Sequence, residues 1–480
     1  MNITSLQFFY LLLVVLVIYY LLPVRPQNYW LLFVSYAFYY TWAWQFCVVL
    51  LMLTITTYVL AQKMQNSEDV RTRRWWLWVG IVLNVAALLF FRTANFFLPA
   101  FLQFASRFGV QLLGPALEIL LPIGLAYYVL QIISYLVDVH RNQMAASTDF
   151  VSFALYLAYF PKLLSGPIER ARTFLPALTR PRQVDNSLLA RSVALILMGL
   201  MRKMFVAGIL SAIIFWDAFE TPAKYTGPEL LCWILIYGLY LYNDFAGYTS
   251  LVRGISGLFG LELSKNFEQP YFAHSMTDFW NRWHISLSHW LRDYVYFPLS
   301  RKLLKRNSHS TIVNLPYLII PPMTTMLLSG LWHGLAWSIL LWGALHGAYQ
   351  IIERLASLGK PTFRAQKRFS WHQPVAPIVV LALVTFAWVP FVMDLPIAIE
   401  YWKGMLNWTY PVVRFHRILL SIPVFIVVLA VDGLERYYKE ETFYLRWPRL
   451  VRASLLATSL FIILLLLQAD IRQPFVYQGF

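Results

Sequence analysis

The sequence predicts an all-α, polytopic integral membrane protein of about ten to twelve transmembrane helices, with re-entrant or interfacial helices among them. Three observations carry this. Of 480 residues, 59% are hydrophobic and 13% are charged, against about 25% charged in an ordinary soluble domain. Apolar runs repeatedly reach or approach the roughly 20 residues that cross a bilayer core as helix. The basic residues gather in the short breaks between those runs.

In chain order the runs are residues 6–22, 30–61, 75–91, 117–137, 187–215, 230–247, 316–348, 376–392, 418–431 and 455–467. The runs at 30–61 and 316–348 are long enough to hold a tight turn between two helices. The opening run has no basic residue before it and no small-residue cleavage site after it, so it reads as a permanent span rather than a cleaved leader. No polar stretch is long enough to form a separate soluble domain, so residues 1–480 are expected to make one membrane-embedded domain.

The net charge of +16 does not point to nucleic acid. Lys63, Arg71, Arg73 and Arg74, then the stretches 162–182, 301–306 and 354–368, place basic side chains where cytoplasmic loops and anionic lipid headgroups attract them. By that rule the first basic loop faces the cytoplasm. The 19 tryptophans and 29 tyrosines, many near span ends, read as interfacial anchors. Cys47 and Cys232 both sit in apolar runs and read as free thiols. There is no Cys/His cluster with zinc spacing, so no metal is expected. A phosphate-binding Walker loop and a Gly-x-Ser-x-Gly elbow are also absent from the sequence.

Before about residue 115 the spans are bland, and polar residues such as Asn84 read as satisfied core groups. From Asp138 to His346 polar and ionisable residues enter apolar surroundings, where their cost favours a functional reading. The segment from Met276 to Asp293 is the clearest case. At roughly 100° per residue, Asn281, His284, Ser288 and Arg292 fall within about 80° of arc, with Trp280, Trp283, Leu287, Trp290 and Leu291 opposite. This pattern predicts a helical stretch from Phe267 to Leu304 lying partly in the membrane interface. His333 stands inside the apolar run Leu327–Trp337, beside Gly330 and Gly334, which would let another group approach the backbone. By residue pattern alone His333 is either a packed core histidine or a proton acceptor, and His346 is a weaker case of the same kind. A histidine is the side chain whose ordinary pKa suits accepting a proton near neutrality, and burial favours its neutral form.

Weaker signals surround these. Asn243 and Asp244 lie in the apolar stretch Tyr242–Tyr248, where they either line a cavity or bond neighbouring helices. His289 and Asp293 have the spacing of a same-face pair. Residues 160–170, broken by proline and glycine, read as a structured turn in which Glu169 and Arg170 face each other.

Taken together, Asp278–Tyr294, Leu328–Gly334, Tyr242–Tyr248 and Leu164–Ile168 resemble the membrane-bound O-acyltransferase family over roughly residues 117–346. The likeness is strongest to the bacterial branch containing the membrane subunit of alginate O-acetylation and the membrane protein of teichoic-acid D-alanylation. That resemblance implies a helical bundle around a central tunnel, with a thioester donor reaching the site from one face and the acceptor from the other. It also implies His333 and His284 as the catalytic pair, so the two should lie close together. Asn281, Ser288, Arg292, Asn243 and Asp244 become candidate substrate-binding residues. No bound cofactor is implied; the donor is an acyl-CoA or an acyl-carrier thioester. The acceptor is a polysaccharide hydroxyl or a separate periplasmic acyltransferase that relays the acyl group. The implied location is the bacterial inner membrane. Two rival readings remain on the residues alone: a transporter or flippase, and an acyltransferase with a lipid or small-protein acceptor.

Overall fold

The computed structural model describes residues 1–108, 119–182, 184–306, 315–358, 375–408 and 414–468, and the regular elements among them are all helical. Among the described residues, eight helices are long and apolar enough to cross a membrane: Trp44–Gln65, Val70–Phe104, Asn186–Ile213, Gly227–Leu258, Leu315–His333, Val375–Val392, His416–Tyr438 and Arg449–Gln468. Leu6–Leu21 and Leu125–His140 are shorter apolar helices. The protein is thus an all-α, multi-pass membrane protein.

The two overlong runs divide at tight turns. Residues 30–61 fall in the helices Val24–Tyr40 and Trp44–Gln65. Residues 316–348 fall in Leu315–His333 and Trp337–Ala356, which leaves only residues 334–336 between them. The run at 117–137 begins partly outside the described residues, and its helix starts only at Leu125, after Gly124 in a left-handed conformation at φ +83°.

One element departs from its periodicity. The single amphipathic helix expected across Met276–Asp293 is broken into Met276–Trp280 and Ile285–Leu291, with His284 at φ +42° between them. A π-helical turn, Arg292–Tyr296, then leads into Phe297–Arg306. Ahead of it residues 270–272 form only a 3-10 turn. The apolar face of this stretch is buried in protein, with Phe279, Trp283, Leu287 and Trp290 all covered. Periodicity counted every residue as one 100° step, and that assumption fails where a residue adopts a left-handed backbone.

The described residues gather into two compact units. The first holds Met1–Leu189 with Ile255–Leu263. Inside it Tyr19 donates to the carbonyl of Phe259 at 2.8 Å and Tyr39 to that of Ile123 at 2.6 Å. It also corrects a charge assignment. Lys162, read as part of a headgroup-facing basic stretch, is fully buried. Its ammonium donates to Gln131 Oε1 and to the Tyr156 carbonyl, and lies over the Tyr156 ring at 4.9 Å. The second unit holds Ala190–Gly254 and the chain from Ser264 onward, and contains every candidate site residue. Cys47 and Cys232 are free and half-buried.

Gly124 offers a direct test of the first unit. A β-carbon there would collide with the Leu163 carbonyl oxygen, on a backbone that L-residues rarely adopt. Gly124→Ala should lower stability by at least about 1–3 kcal/mol from backbone strain alone. An unchanged thermal unfolding midpoint in detergent would contradict this.

Candidate active site

The site is built where two chain breaks meet. The helix Leu315–His333 ends on His333, so this histidine sits in a last turn rather than in mid-helix. The next helix folds back at close range. A β-carbon on Gly330 would lie 2.7 Å from the Ile339 carbonyl oxygen, and one on Gly343 would lie 2.6 Å from that of Met326. Gly330 therefore admits the neighbouring helix rather than a substrate. This backbone contact brings Trp342 alongside His333, with His346 behind it.

His284 arrives from the other break. Its left-handed backbone costs on the order of 1–3 kcal/mol and must be held in place. Asn266 does this. Its carbonyl accepts from Ile285 N at 2.9 Å, and its side-chain Oδ1 accepts from Ser286 N at 3.2 Å. On the other side of the break, Arg282 is tied to Asp278 at 2.7 Å, and its carbonyl accepts from Glu268 N at 3.0 Å.

The His284 and His333 rings lie 6.4 Å apart, centroid to centroid, and both are buried. Aromatic rings enclose them. Phe245 stands 4.8 Å from His284, and Trp332 contacts both histidines, at 5.7 and 4.8 Å. Trp342 and Phe391 each stand 5.3 Å from His333. Burial pushes the His284 imidazole well below the ordinary histidine range, which holds it neutral. His346 sits one step further out, 5.0 Å from both Trp342 and Trp280.

Asn281, Ser288 and Arg292 come together although the helix meant to align them is broken. With Trp280, Ser329 and Arg354 they line one cavity of about 170 Å³. The π turn carries Arg292 and Tyr296 to its wall, and Arg354 donates to the Tyr296 hydroxyl at 2.5 Å.

Asn243 and Asp244 are placed elsewhere. Asn243 donates to the Leu239 carbonyl of its own helix at 2.9 Å, and Asp244 is ion-paired with the buried Lys203. Their motif still reaches the site through the next residue, since Phe245 is the ring against His284.

Sequence reasoning missed Asn266, Phe391, Arg354 and the charged core of this unit. Arg202 bonds Asp432 at 2.7 Å and Glu435 at 2.9 Å, while Tyr242 donates to Asp432 at 2.9 Å and Gln269 to Glu435 at 3.1 Å. Arg202 and Lys203 both lie in a π-helical turn, Met201–Val206. The adjacent cations Arg202 and Lys203, deep inside the run at 187–215, were the available signal. Their partners lie far away in sequence.

Comparison with known proteins gives a consistent set of matches. The model of the membrane-bound O-acyltransferase family matches residues 98–393, which encloses the stretch expected from the motifs. A probable alginate O-acetylase of Azotobacter vinelandii is 33% identical, covering 88% of this chain and 83% of the relative. A peptidoglycan O-acetyltransferase of Helicobacter pylori is 29% identical over 80% of this chain and 74% of its own. A teichoic acid D-alanyltransferase of Bacillus subtilis is 29% identical over 56% of this chain and 67% of its own.

The Lys203–Asp244 pair carries a stability prediction. Removing one partner of a buried ion pair costs about 3–5 kcal/mol, because the other charge is stranded. Asp244→Ala should therefore unfold at clearly lower temperature, and the double variant Lys203→Met/Asp244→Leu should recover much of the loss. Equal thermal midpoints for wild type and Asp244→Ala in detergent would show that the pair is not structural.

Proposed function

Since the chain belongs to the membrane-bound O-acyltransferase family, and is an O-acyltransferase of the membrane, we propose that it moves an acetyl group from a thioester to a hydroxyl of an exported or cell-wall polysaccharide. The working location is the bacterial inner membrane. The observation that carries this reading is the buried His284–His333 pair, 6.4 Å apart inside an aromatic enclosure. The relatives support the acceptor class, since their names attach them to alginate, peptidoglycan and teichoic acid, and two of the three transfer acetyl.

In this reading His333 is the general base. It accepts the proton of the acceptor hydroxyl as the oxygen attacks the thioester carbonyl, and returns that proton to the departing thiolate. His284, neutral and held by its strained backbone, orients the acceptor or His333 itself. Asn281, Ser288 and Arg292 hold the donor, an acyl-CoA or an acyl-carrier thioester, in the cavity they share. Asp244 serves indirectly, fixing the helix that presents Phe245 to His284. The acetyl group passes to the glycan directly or through a separate periplasmic transferase. Parallel assays with glycan, lipid and small-protein acceptors separate this reading from its nearest rivals.

The decisive variant is His333→Ala. General-base assistance is typically worth about 10²–10⁴ in rate. The purified variant should lose acetyl transfer by at least that factor while keeping its size-exclusion profile, and His346→Ala should lose less. Near-normal turnover by His333→Ala would remove His333 from the chemistry.

A further inference from the structure

The cavity lined by Asn281, Ser288 and Arg292 also has Ser329 and Trp280 in its wall, and each of these two carries a buried polar atom left unbonded among the described residues. Ser329 is fully buried, yet its hydroxyl has no hydrogen-bond partner among the described residues, and the residue lines the cavity. Trp280 lines the same cavity, and its indole Nε1 is also buried without an acceptor among them. Roughly nine in ten buried polar groups in proteins are bonded, so two open donors at one cavity ask for a ligand atom.

Ser329 had a local way out. A helical serine or threonine commonly bonds the carbonyl one turn back. Thr325, on the same helix, does so to Pro321 at 2.6 Å. Ser329 makes no such bond, although it lines the cavity. It precedes His333 by four residues, which puts the two on the same side of the helix about 6 Å apart along its axis. Trp280 reaches the same cavity from the other chain break. Its ring lies 5.8 Å from Trp342, whose ring lies 5.3 Å from His333. His346 packs against both indoles at 5.0 Å and fixes their orientation.

We propose that the Ser329 hydroxyl and the Trp280 indole N–H are the hydrogen-bond donors that hold the thioester carbonyl oxygen beside His333. The proposal rests on the thioester-to-hydroxyl transfer argued above and names the groups that stabilise its charge. As the acceptor oxygen bonds to the carbonyl carbon, its proton passes to His333 and the carbonyl oxygen becomes an oxyanion. Ser329 and Trp280 donate to that oxyanion and keep their own protons. The carbon–sulfur bond then breaks, and the proton on His333 leaves with the thiolate. Donors fixed in advance in a site without bulk water cost no reorganisation when charge appears, which is why such groups carry large rate effects.

The test uses full-length protein in detergent or nanodiscs with acetyl-CoA as the probe donor, following both released thiol and acetylated acceptor. Losing one oxyanion donor typically costs about 10²–10³ in kcat. Ser329→Ala and Trp280→Phe should each fall by that order while the donor KM stays within a few-fold. Ser329→Thr, which keeps a hydroxyl, should retain most of the wild-type kcat. A packing role alone would lower the unfolding temperature and leave kcat of the folded fraction intact. If Trp280→Phe does not purify, the two Ser329 variants decide alone. A kcat within about threefold of wild type in Ser329→Ala, or a KM rise with kcat unchanged, overturns the proposal. If wild type transfers acetyl, His333→Ala does not, and both donor variants run normally, only this proposal falls. If wild type transfers no acyl group from any thioester, the proposed function falls and this proposal with it.

Discussion

A charge placed among membrane helices has no water to return to, so it must meet its opposite inside the protein. The second unit is organised around that requirement. Arg202 is satisfied by Asp432 and Glu435, which lie on the helix Phe415–Tyr438. Asp432 takes a second bond from Tyr242, and Lys203, the residue after Arg202, binds Asp244. Tyr242 and Asp244 immediately precede Phe245, which the helix Gly227–Leu258 carries to the His284 ring. The wall of the candidate site is thus positioned by ion pairs that touch neither histidine.

Irregular backbone does the rest of the positioning. A π turn inserts one extra residue and changes which side chains face inward. One such turn carries Arg202 and Lys203 into the charged core, and another carries Arg292 and Tyr296 to the cavity. The left-handed residue at His284 ends one helix and starts the next in a new direction. These departures are not stable by themselves. They persist because Asn266 and the ion pairs over-determine them.

This explains which features were legible beforehand. The spans, the tight turns in the two overlong runs and the interior position of His333 follow from hydrophobic length, a local property. That His284 and His333 converge came from family resemblance, since 48 intervening positions put no constraint on their distance that periodicity could read. The partners of Arg202, the Asn266 clasp and the Phe391 ring are long-range contacts with no local signature. The amphipathic reading of Met276–Asp293 shows the limit in both directions. It gathered Asn281, Ser288 and Arg292 correctly around one cavity. It failed at His284, where helical periodicity stops.

The aromatic content also changes meaning once the fold is known. Abundant tryptophan near span ends reads as interfacial anchoring, but Trp283, Trp332, Trp342 and Trp388 are buried around or next to the histidine pair. A thioester, the donor proposed here, is attacked by water as well as by alcohols, so its site must exclude solvent. Rings meet that demand. They fill the space around His333 at 4.8 to 5.3 Å. Their one polar feature, an indole N–H, is a donor without an acceptor function. An enclosure of this kind leaves any developing negative charge to the few donors it contains. The chemistry proposed for this site puts that charge on a carbonyl oxygen, where an indole N–H can meet it.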